Sequence, residues 1–270
     1  MRPRTARAAR LLASAAVAAV LALPVAGCKT TGDDITGSVG SSSAPRSDTE
    51  WRHSLDVWGA RYRENPGDVD AAIGYAGALR ATDQRAQAVA VLEQASIRNP
   101  HNMPLLGAYG RALAEAGDYN QALDVLSRAH TPDNPDWRVL NAQGAVLDQL
   151  GRHPEAQRHY SAALRIVPNE PSILSNLGLS YALTKDLKRA EATLRQAVGR
   201  PDAAPKVRQN LALVVGLQGR FAEAEKIAGA DLPPGEAAAN VSYLRQLLAQ
   251  RSDWSKKGGQ PYVPSPDAGS

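Results

Sequence analysis

The sequence predicts an all-α fold, a right-handed solenoid in which helical hairpins stack one on the next. Three observations support this prediction: a constant internal period, small residues at fixed positions within it, and an abundance of alanine in the middle of the chain. Five segments align without gaps, and the interval between their shared alanines is always 34 residues. These alanines are Ala88, Ala122, Ala156, Ala190 and Ala224. A single hairpin cannot bury its apolar face alone, so units of this kind stack.

Each unit divides into two helices whose small and large residues form complementary rows. A small residue recurs on the first helix, at Ala76, Gly110, Gly144, Gly178 and Ala212. Larger apolar residues recur on the first helix at Leu79, Leu113, Leu147, Tyr181 and Val215, and on the second at Leu92, Leu126, Tyr160 and Leu194. Small residues let two helices approach to roughly 8 Å, and large ones fill the space between them. The pattern resembles the tetratricopeptide repeat (TPR).

The turn inside each unit predicts a left-handed helix cap, for which glycine is the usual residue. Gly117, Gly151 and Gly219 stand at this turn in three units. Asp83 and Lys185 take the same place in the first and fourth units and depart from the pattern. A further departure is Asp231, which replaces an alanine near the end of the fifth unit.

The predicted solenoid covers residues 50–251 and has a cap at each end. Residues 50–66 keep the register of a second helix, with Trp58 aligned to Leu92, and predict a half-repeat before the five full repeats of residues 69–231. A pair of prolines then precedes a predicted capping helix at 235–250, whose apolar residues share one face. The Lys, Gly and Pro content of residues 252–270 predicts a disordered tail.

The amino-terminal region predicts a lipid anchor. Residues 1–27 hold four arginines and then an uncharged apolar run too short to span a bilayer, as in a secretory signal peptide. The run ends in "VAGC", which resembles the bacterial lipobox and implies acyl chains on Cys28, the only cysteine. The alternative is an incidental cysteine after an ordinary signal, or a buried thiol. Lys29 implies, by analogy with lipoprotein sorting, the periplasmic face of a Gram-negative outer membrane; residues 28–49 predict a flexible tether.

Charge and chemistry narrow the class of function. The formal net charge of +4 equals the four arginines of the predicted signal peptide, so the mature chain is near neutral and no nucleic-acid partner is predicted. The sequence contains neither the His-Glu-x-x-His of zinc proteases nor a glycine-rich phosphate loop. We therefore predict a chain that is not an enzyme, with no catalytic residue, no metal site and no cofactor besides the lipid on Cys28.

The predicted binding surface is the concave groove formed by the first helices. Projecting the repeat register onto this groove selects eight polar residues, Arg80, Arg111, Asn141, Asp148, Asn176, Lys206, Gln209 and Asn210. It also selects four leucines in the last two units, Leu179, Leu183, Leu213 and Leu217. Polar side chains suit a partner's backbone and leucines suit its apolar side chains. The alternative for the leucines is packing between repeats.

The carboxyl-terminal half resembles one family more closely. The stretch from Val207 to Leu248, "VRQNLALVVGLQGRFAEAEKIAGADLPPGEAAANVSYLRQLL", is similar to the TadD-type lipoproteins of tight-adherence (Tad/Flp) pilus systems. This resemblance implies a scaffold or chaperone for pilus assembly, with the secretin or another Tad component as partner. A looser analogy with type IV pilus lipoproteins implies a pilotin, which promotes secretin assembly. Two alternatives are an adaptor for β-barrel assembly or peptidoglycan synthesis and a stoichiometric subunit of the pilus apparatus.

Overall fold

The computed structural model describes residues 47–256, and over this range it is entirely helical apart from turns and one isolated antiparallel bridge between Thr131 and Asn134. The predicted signal peptide, Cys28, nearly all of the tether and the end of the tail lie outside the described residues. Twelve helices are described: α1 Asp48–Glu64, α2 Val69–Ala81, α3 Arg85–Arg98, α4 Met103–Ala116, α5 Tyr119–Ser127, α6 Trp137–Gln149, α7 His153–Ile166, α8 Pro171–Leu183, α9 Leu187–Val198, α10 Pro205–Leu217, α11 Phe221–Ala228 and α12 Pro234–Lys256.

The five repeats are the pairs α2–α3, α4–α5, α6–α7, α8–α9 and α10–α11, which confirms the predicted all-α solenoid. Local chemistry fixes where several of these helices begin. The carboxylate of Asp68 accepts from the backbone N–H of Ala71 at 3.0 Å, and the amide oxygen of Asn102 accepts from Leu105 in the same way. Such caps satisfy backbone donors that have no partner inside the helix.

Gly144 shows why small residues recur on the first helices. A Cβ added there would lie 2.5 Å from Cε1 of Tyr160, which is closer than any real contact. Gly110 stands in the same relation to Leu126, and Gly178 to Leu194. The large residue of the second helix therefore fills the space that a side chain at the glycine position would occupy.

The turn between the two helices has one backbone conformation in all five repeats. The φ angles are 92°, 73° and 82° at Gly117, Gly151 and Gly219, so the predicted left-handed caps are present. Asp83 and Lys185 adopt the same region, at 61° and 66°, although each carries a side chain. In every repeat the next residue donates its N–H to the carbonyl five residues back, as Asp186 does to Tyr181 at 2.9 Å. The hydrogen bonds of the turn thus impose the conformation on whichever residue stands there.

Both ends of the solenoid are capped by the same packing device. Trp58 of α1 fills the space above Gly74, and Leu244 of α12 fills the space above Gly216, each 2.5 Å from where a Cβ would stand. Helix α12 continues to Lys256, past the predicted end at residue 250, so residues 252–256 are helical and not part of a disordered tail. Asp231 follows the end of α11 and accepts two hydrogen bonds from Arg208, at 2.6 and 2.7 Å. This ion pair explains why alanine is not needed there.

The stack curves toward its first helices. Each first helix contacts the first helix of the next repeat, from α2 and α4 through to α10 and the capping helix α12. Among the described residues, the second helices of successive repeats make no comparable contact with one another. Elements that approach most closely lie on the inner side of a curved stack, so the first helices line the concave surface.

Candidate protein-binding groove

One face of each first helix is turned to the concave surface. On α8 it consists of the half-buried side chains Ser172, Asn176, Leu179 and Leu183, which follow the i, i+4, i+7, i+11 spacing of a helix face. Adding the repeat period gives the corresponding face of α10, with Lys206, Asn210, Leu213 and Leu217. We call these faces, together with their equivalents on the other first helices, the groove stripe.

The predicted binding residues divide into two groups. Eight of them lie on the groove stripe: Arg111, Asn176, Leu179, Leu183, Lys206, Asn210, Leu213 and Leu217. The other four, Arg80, Asn141, Asp148 and Gln209, lie to the side of the stripe, where successive first helices meet. We call this second position the seam.

Three of the four seam residues, Arg80, Asn141 and Asp148, bind protein groups of the next repeat. The guanidinium of Arg80 forms a two-pronged ion pair with Glu115, with Nε 2.6 Å from one carboxylate oxygen and Nη2 in contact with the other. Asn141 is only 1% exposed and accepts a hydrogen bond from Nδ2 of Asn176 at 3.1 Å. Their polar groups thus hold the solenoid together before any partner binds.

Asp148 is the seam residue that accepts three side-chain hydrogen bonds. Its side chain is 8% exposed and accepts hydrogen bonds from His153 Nδ1 at 2.8 Å, Ser180 Oγ at 2.8 Å and the Tyr160 hydroxyl at 3.1 Å. Burial raises the pKa of the Asp148 carboxyl, and the three hydrogen bonds offset this only in part. Burial and the nearby carboxylate also raise the pKa of Tyr160 well above its ordinary value.

The cluster around Asp148 contains the residue types of a hydrolase triad but in a different order. In a triad the histidine lies between the serine and the carboxylate. Here Asp148 lies between them, because His153 and Ser180 both bind the same oxygen, Oδ1. The arrangement joins the third and fourth repeats, and the group that binds the Ser180 hydroxyl is the carboxylate and not the histidine.

The leucines make the groove stripe apolar toward the carboxyl terminus. One row contains Leu179 and Leu213, whereas the equivalent positions nearer the amino terminus are Gly77, Arg111 and Ala145. A second row contains Leu183 and Leu217, and its equivalents are Ala81, Glu115 and Gln149. The buried core of this half is formed by other side chains, among them those of Leu194, Leu211 and Val214.

An open depression of about 540 Å³ adjoins the second leucine row. It lies at the carboxyl-terminal ends of α8 and α10, directly after Leu183 and Leu217. Its lining consists of Thr184, Lys185, Asp186, Leu187, Lys188 and Gln218. Sequence reasoning missed Lys188 and Gln218 as surface features, and it noted Lys185 only as a departure from glycine.

A charged network ties the fourth and fifth repeats together on the side of the second helices. The carboxylate of Glu191 accepts hydrogen bonds from Arg195 at 2.7 Å, Arg220 at 2.7 Å and Gln218 at 2.8 Å. Burial acts to raise the pKa of Glu191, but these hydrogen bonds outweigh it and lower the pKa to about 2. Glu223 bridges the same two arginines.

Two further properties concern the described residues only. Between residues 47 and 256 no three or more His, Cys, Asp or Glu side chains are grouped so as to hold a metal ion. No helix within this range combines the length and apolarity needed to cross a bilayer.

Comparisons with known proteins agree with the architecture. Two family models, each described as tetratricopeptide repeat, match residues 80–144 and 141–208. No curated protein matches the chain. The chain resembles PilW, described as a widely conserved type IV pilus biogenesis factor, at 16% identity and a TM-score of 0.63, over 72% of this chain and 91% of PilW.

Two other solved structures show the same fold. TTC0263, a thermophilic TPR protein of Thermus thermophilus, is 22% identical with a TM-score of 0.58, over 67% of this chain and all of the other. A chain of the APC/C hetero-tetramer Cut9-Hcn1 is 15% identical with a TM-score of 0.63, over 75% of this chain but only 40% of that one. At these identities the likeness concerns the fold alone. The repeats, their packing and the matching family models make this chain a tetratricopeptide-repeat solenoid, a scaffold suited to binding other proteins.

Proposed function

We propose that this protein is a lipid-anchored adaptor that holds a protein partner on its groove stripe during assembly of a Tad/Flp adhesive pilus. The observation that carries the proposal is the apolar and amide-bearing stripe on the concave side of the last repeats, including Asn176, Leu179, Asn210 and Leu213. TPR solenoids are in general non-catalytic scaffolds, and an inner surface of this composition offers both hydrogen bonds and apolar contacts to a bound segment.

Two observations besides the groove support the proposed role in pilus assembly. The stretch from Val207 to Leu248 resembles TadD-type lipoproteins, and the pilus biogenesis factor PilW has the same fold. Within such a system the lipid on Cys28 would place the protein at the periplasmic face of the outer membrane, and the groove would hold a secretin subunit until it joins its ring. The anchor raises the effective concentration of adaptor and subunit at one surface, so a modest affinity suffices.

The experiment measures detergent-resistant secretin multimers in the outer membrane of a strain that lacks this protein. We expect the multimers to be lost, then restored by the wild type but poorly by Cys28→Ala or by the groove variant Leu179→Asp/Leu213→Asp. The matched control is Ile97→Asp, because Ile97 is 67% exposed and lies on the second helix α3, away from the groove. Normal multimers in the deletion strain would rule out the pilotin role and direct attention to another envelope machine.

A further inference from the structure

The leucine rows define an apolar surface on the groove stripe. Leu179 and Leu183 are four residues apart on α8, and Leu213 and Leu217 repeat this spacing on α10. Four residues of helix span about 6 Å, and neighbouring helices lie about 8–10 Å apart. The four leucines therefore form a patch that spans about 6 Å along the helices and about 8–10 Å across them.

Three lysines without an ion-pair partner flank this surface, two directly beside it and Lys206 about two helical turns before Leu213. Lys206 is exposed in the first turn of α10, while Lys185 and Lys188 line the depression that adjoins Leu183 and Leu217. Within the described residues no carboxylate pairs with any of the three lysines.

The acidic side chains of the same region are already engaged. Asp186 lines the depression but accepts from Nε and the backbone N–H of Arg189, at 2.5 and 3.0 Å. Glu191 is held by two arginines, and Glu170 accepts from the hydroxyl of Ser172 at 2.9 Å. The arginines of the region thus have partners. Glu170 keeps its negative charge because the Ser172 hydroxyl is neutral, and the three lysines outnumber it.

From these features we infer that the carboxyl-terminal half of the groove stripe binds an acidic amphipathic helix of a partner protein. Its leucine-like residues contact the two leucine rows, and its carboxylates contact Lys185 and Lys188 on one side and Lys206 on the other. The described fold has no sheet edge on which an extended strand could pair, which favours the helical mode of recognition. This inference rests on the proposed protein-binding function of the groove and adds the chemistry of its ligand.

The test uses three fluorescein-labelled peptides of 18 residues. The first has leucines at i, i+3, i+4 and i+7 spacing and glutamates on its other face. The second has lysines in place of the glutamates, and the third keeps the composition of the first with the leucine spacing scrambled. Binding to the chain from residue 29 onward, which retains every described helix, is followed by fluorescence anisotropy at low salt.

We expect the acidic peptide to bind at least about tenfold more tightly than either other peptide, and its affinity to fall with added salt. Lys185→Glu/Lys206→Glu should reverse the preference between the acidic and basic peptides. Because both lysines are exposed, this variant tests the inference without disturbing the core. Leu213→Ala/Leu217→Ala should weaken binding about tenfold or more, and Ile97→Asp should leave it unchanged.

Equal binding of the acidic and basic peptides, or no binding of any peptide, would overturn the inference. The secretin assay separates this result from failure of the proposed function. If multimers require Leu179 and Leu213 while the peptides do not discriminate, the groove binds a partner of other chemistry. If the acidic peptide binds as expected while multimers form normally in the deletion strain, the ligand chemistry is right and the proposed biological role is wrong.

Discussion

Asp148 and Glu191 each link one repeat to the next, but their surroundings act on them in opposite directions. Asp148 lies in the seam between the third and fourth repeats and is held by two hydroxyls and a histidine. Glu191 lies between the fourth and fifth repeats, on the side of the second helices, and two arginines hold it. Burial prevails at Asp148 and raises its pKa, whereas hydrogen bonds from Gln218 and two arginines prevail at Glu191 and lower its pKa.

The difference shows that the solenoid uses separate means of cohesion at different junctions. Two hydroxyls and a histidine satisfy the buried carboxylate between the third and fourth repeats, whereas the seam between the first and second repeats is joined by the ion pair of Arg80 with Glu115. On the side of the second helices, arginines pair with carboxylates that remain closer to solvent. Acid and salt should therefore act on different junctions of the same chain.

The largest expected loss of stability comes from removing the carboxylate of Asp148 from the seam. Asp148→Ala removes the acceptor of Tyr160, Ser180 and His153 and leaves buried donors without partners, which costs about 3 kcal/mol of unfolding free energy. Urea unfolding followed by circular dichroism measures the loss. Ser180→Ala is the control, with an expected loss of about 1 kcal/mol, since it removes one hydrogen bond together with its donor. Equal losses in the two variants would mean that the cluster does not act as a unit.

A smaller loss is expected at the charged network. Glu191→Gln should cost about 1–2 kcal/mol, because the lowered pKa reports a carboxylate stabilised by its arginines and because solvent screens part of that gain. The same urea experiment at 0.05 and 0.5 M NaCl provides the measurement. Salt should shrink the difference between the wild type and this variant while leaving the loss in Asp148→Ala nearly unchanged. A salt-sensitive Asp148→Ala loss would contradict the contrast between the two sites.

The contributions of the two carboxylates to the free energy of unfolding should change with pH in opposite directions. The folded pKa of Glu191 lies below its unfolded value of 4.5, so its stabilising contribution is present above pH 4.5 and is lost as the pH falls toward about 2. The folded pKa of Asp148 lies above its unfolded value of 3.8, so its contribution is present below pH 3.8 and is lost as the pH rises through the folded value.

Two variants test these opposite pH dependences by urea unfolding between pH 3 and pH 7. The advantage of the wild type over Glu191→Gln should shrink as the pH falls. Asp148→Asn, which resembles the protonated form, should gain stability relative to the wild type as the pH rises. Parallel pH profiles for the two variants would show that one of the assigned shifts has the wrong direction.

The fold was predictable from the sequence because a constant period fixes both the helices and their packing. Alanine and glycine at the shared positions, with Leu126 or Tyr160 opposite them, determine how closely the helices approach. The amino-terminal cap was predicted from the same register, since Trp58 aligns with Leu92. The end of α12 was not predictable from composition, because the Lys and Gly content that follows it does not specify where a helix stops.

The binding surface was only partly predictable, because neighbouring residues of a helix point about 100° apart. Asn141 and Asn176 differ by one position in the repeat, so only Asn176 lies on the groove stripe while Asn141 lies in the seam. The positive charge beside the leucine rows could also not be predicted from the sequence. That Lys188 remains unpaired depends on which arginines reach Asp186 and Glu191, and only the folded structure shows this.

The smallest expected effect is at the turn between the two helices of the fourth repeat, where Lys185 has a φ of 66°. A side chain in the left-handed region is strained, and glycine at this position relieves the strain while losing more freedom on folding. Lys185→Gly should therefore stabilise the chain by about 0.5–1 kcal/mol in urea unfolding. Asp83→Gly, at the equivalent turn, should gain only a few tenths of a kcal/mol, because aspartate tolerates this conformation better than lysine. A loss of stability in Lys185→Gly would mean that its side chain contributes packing that outweighs the backbone strain.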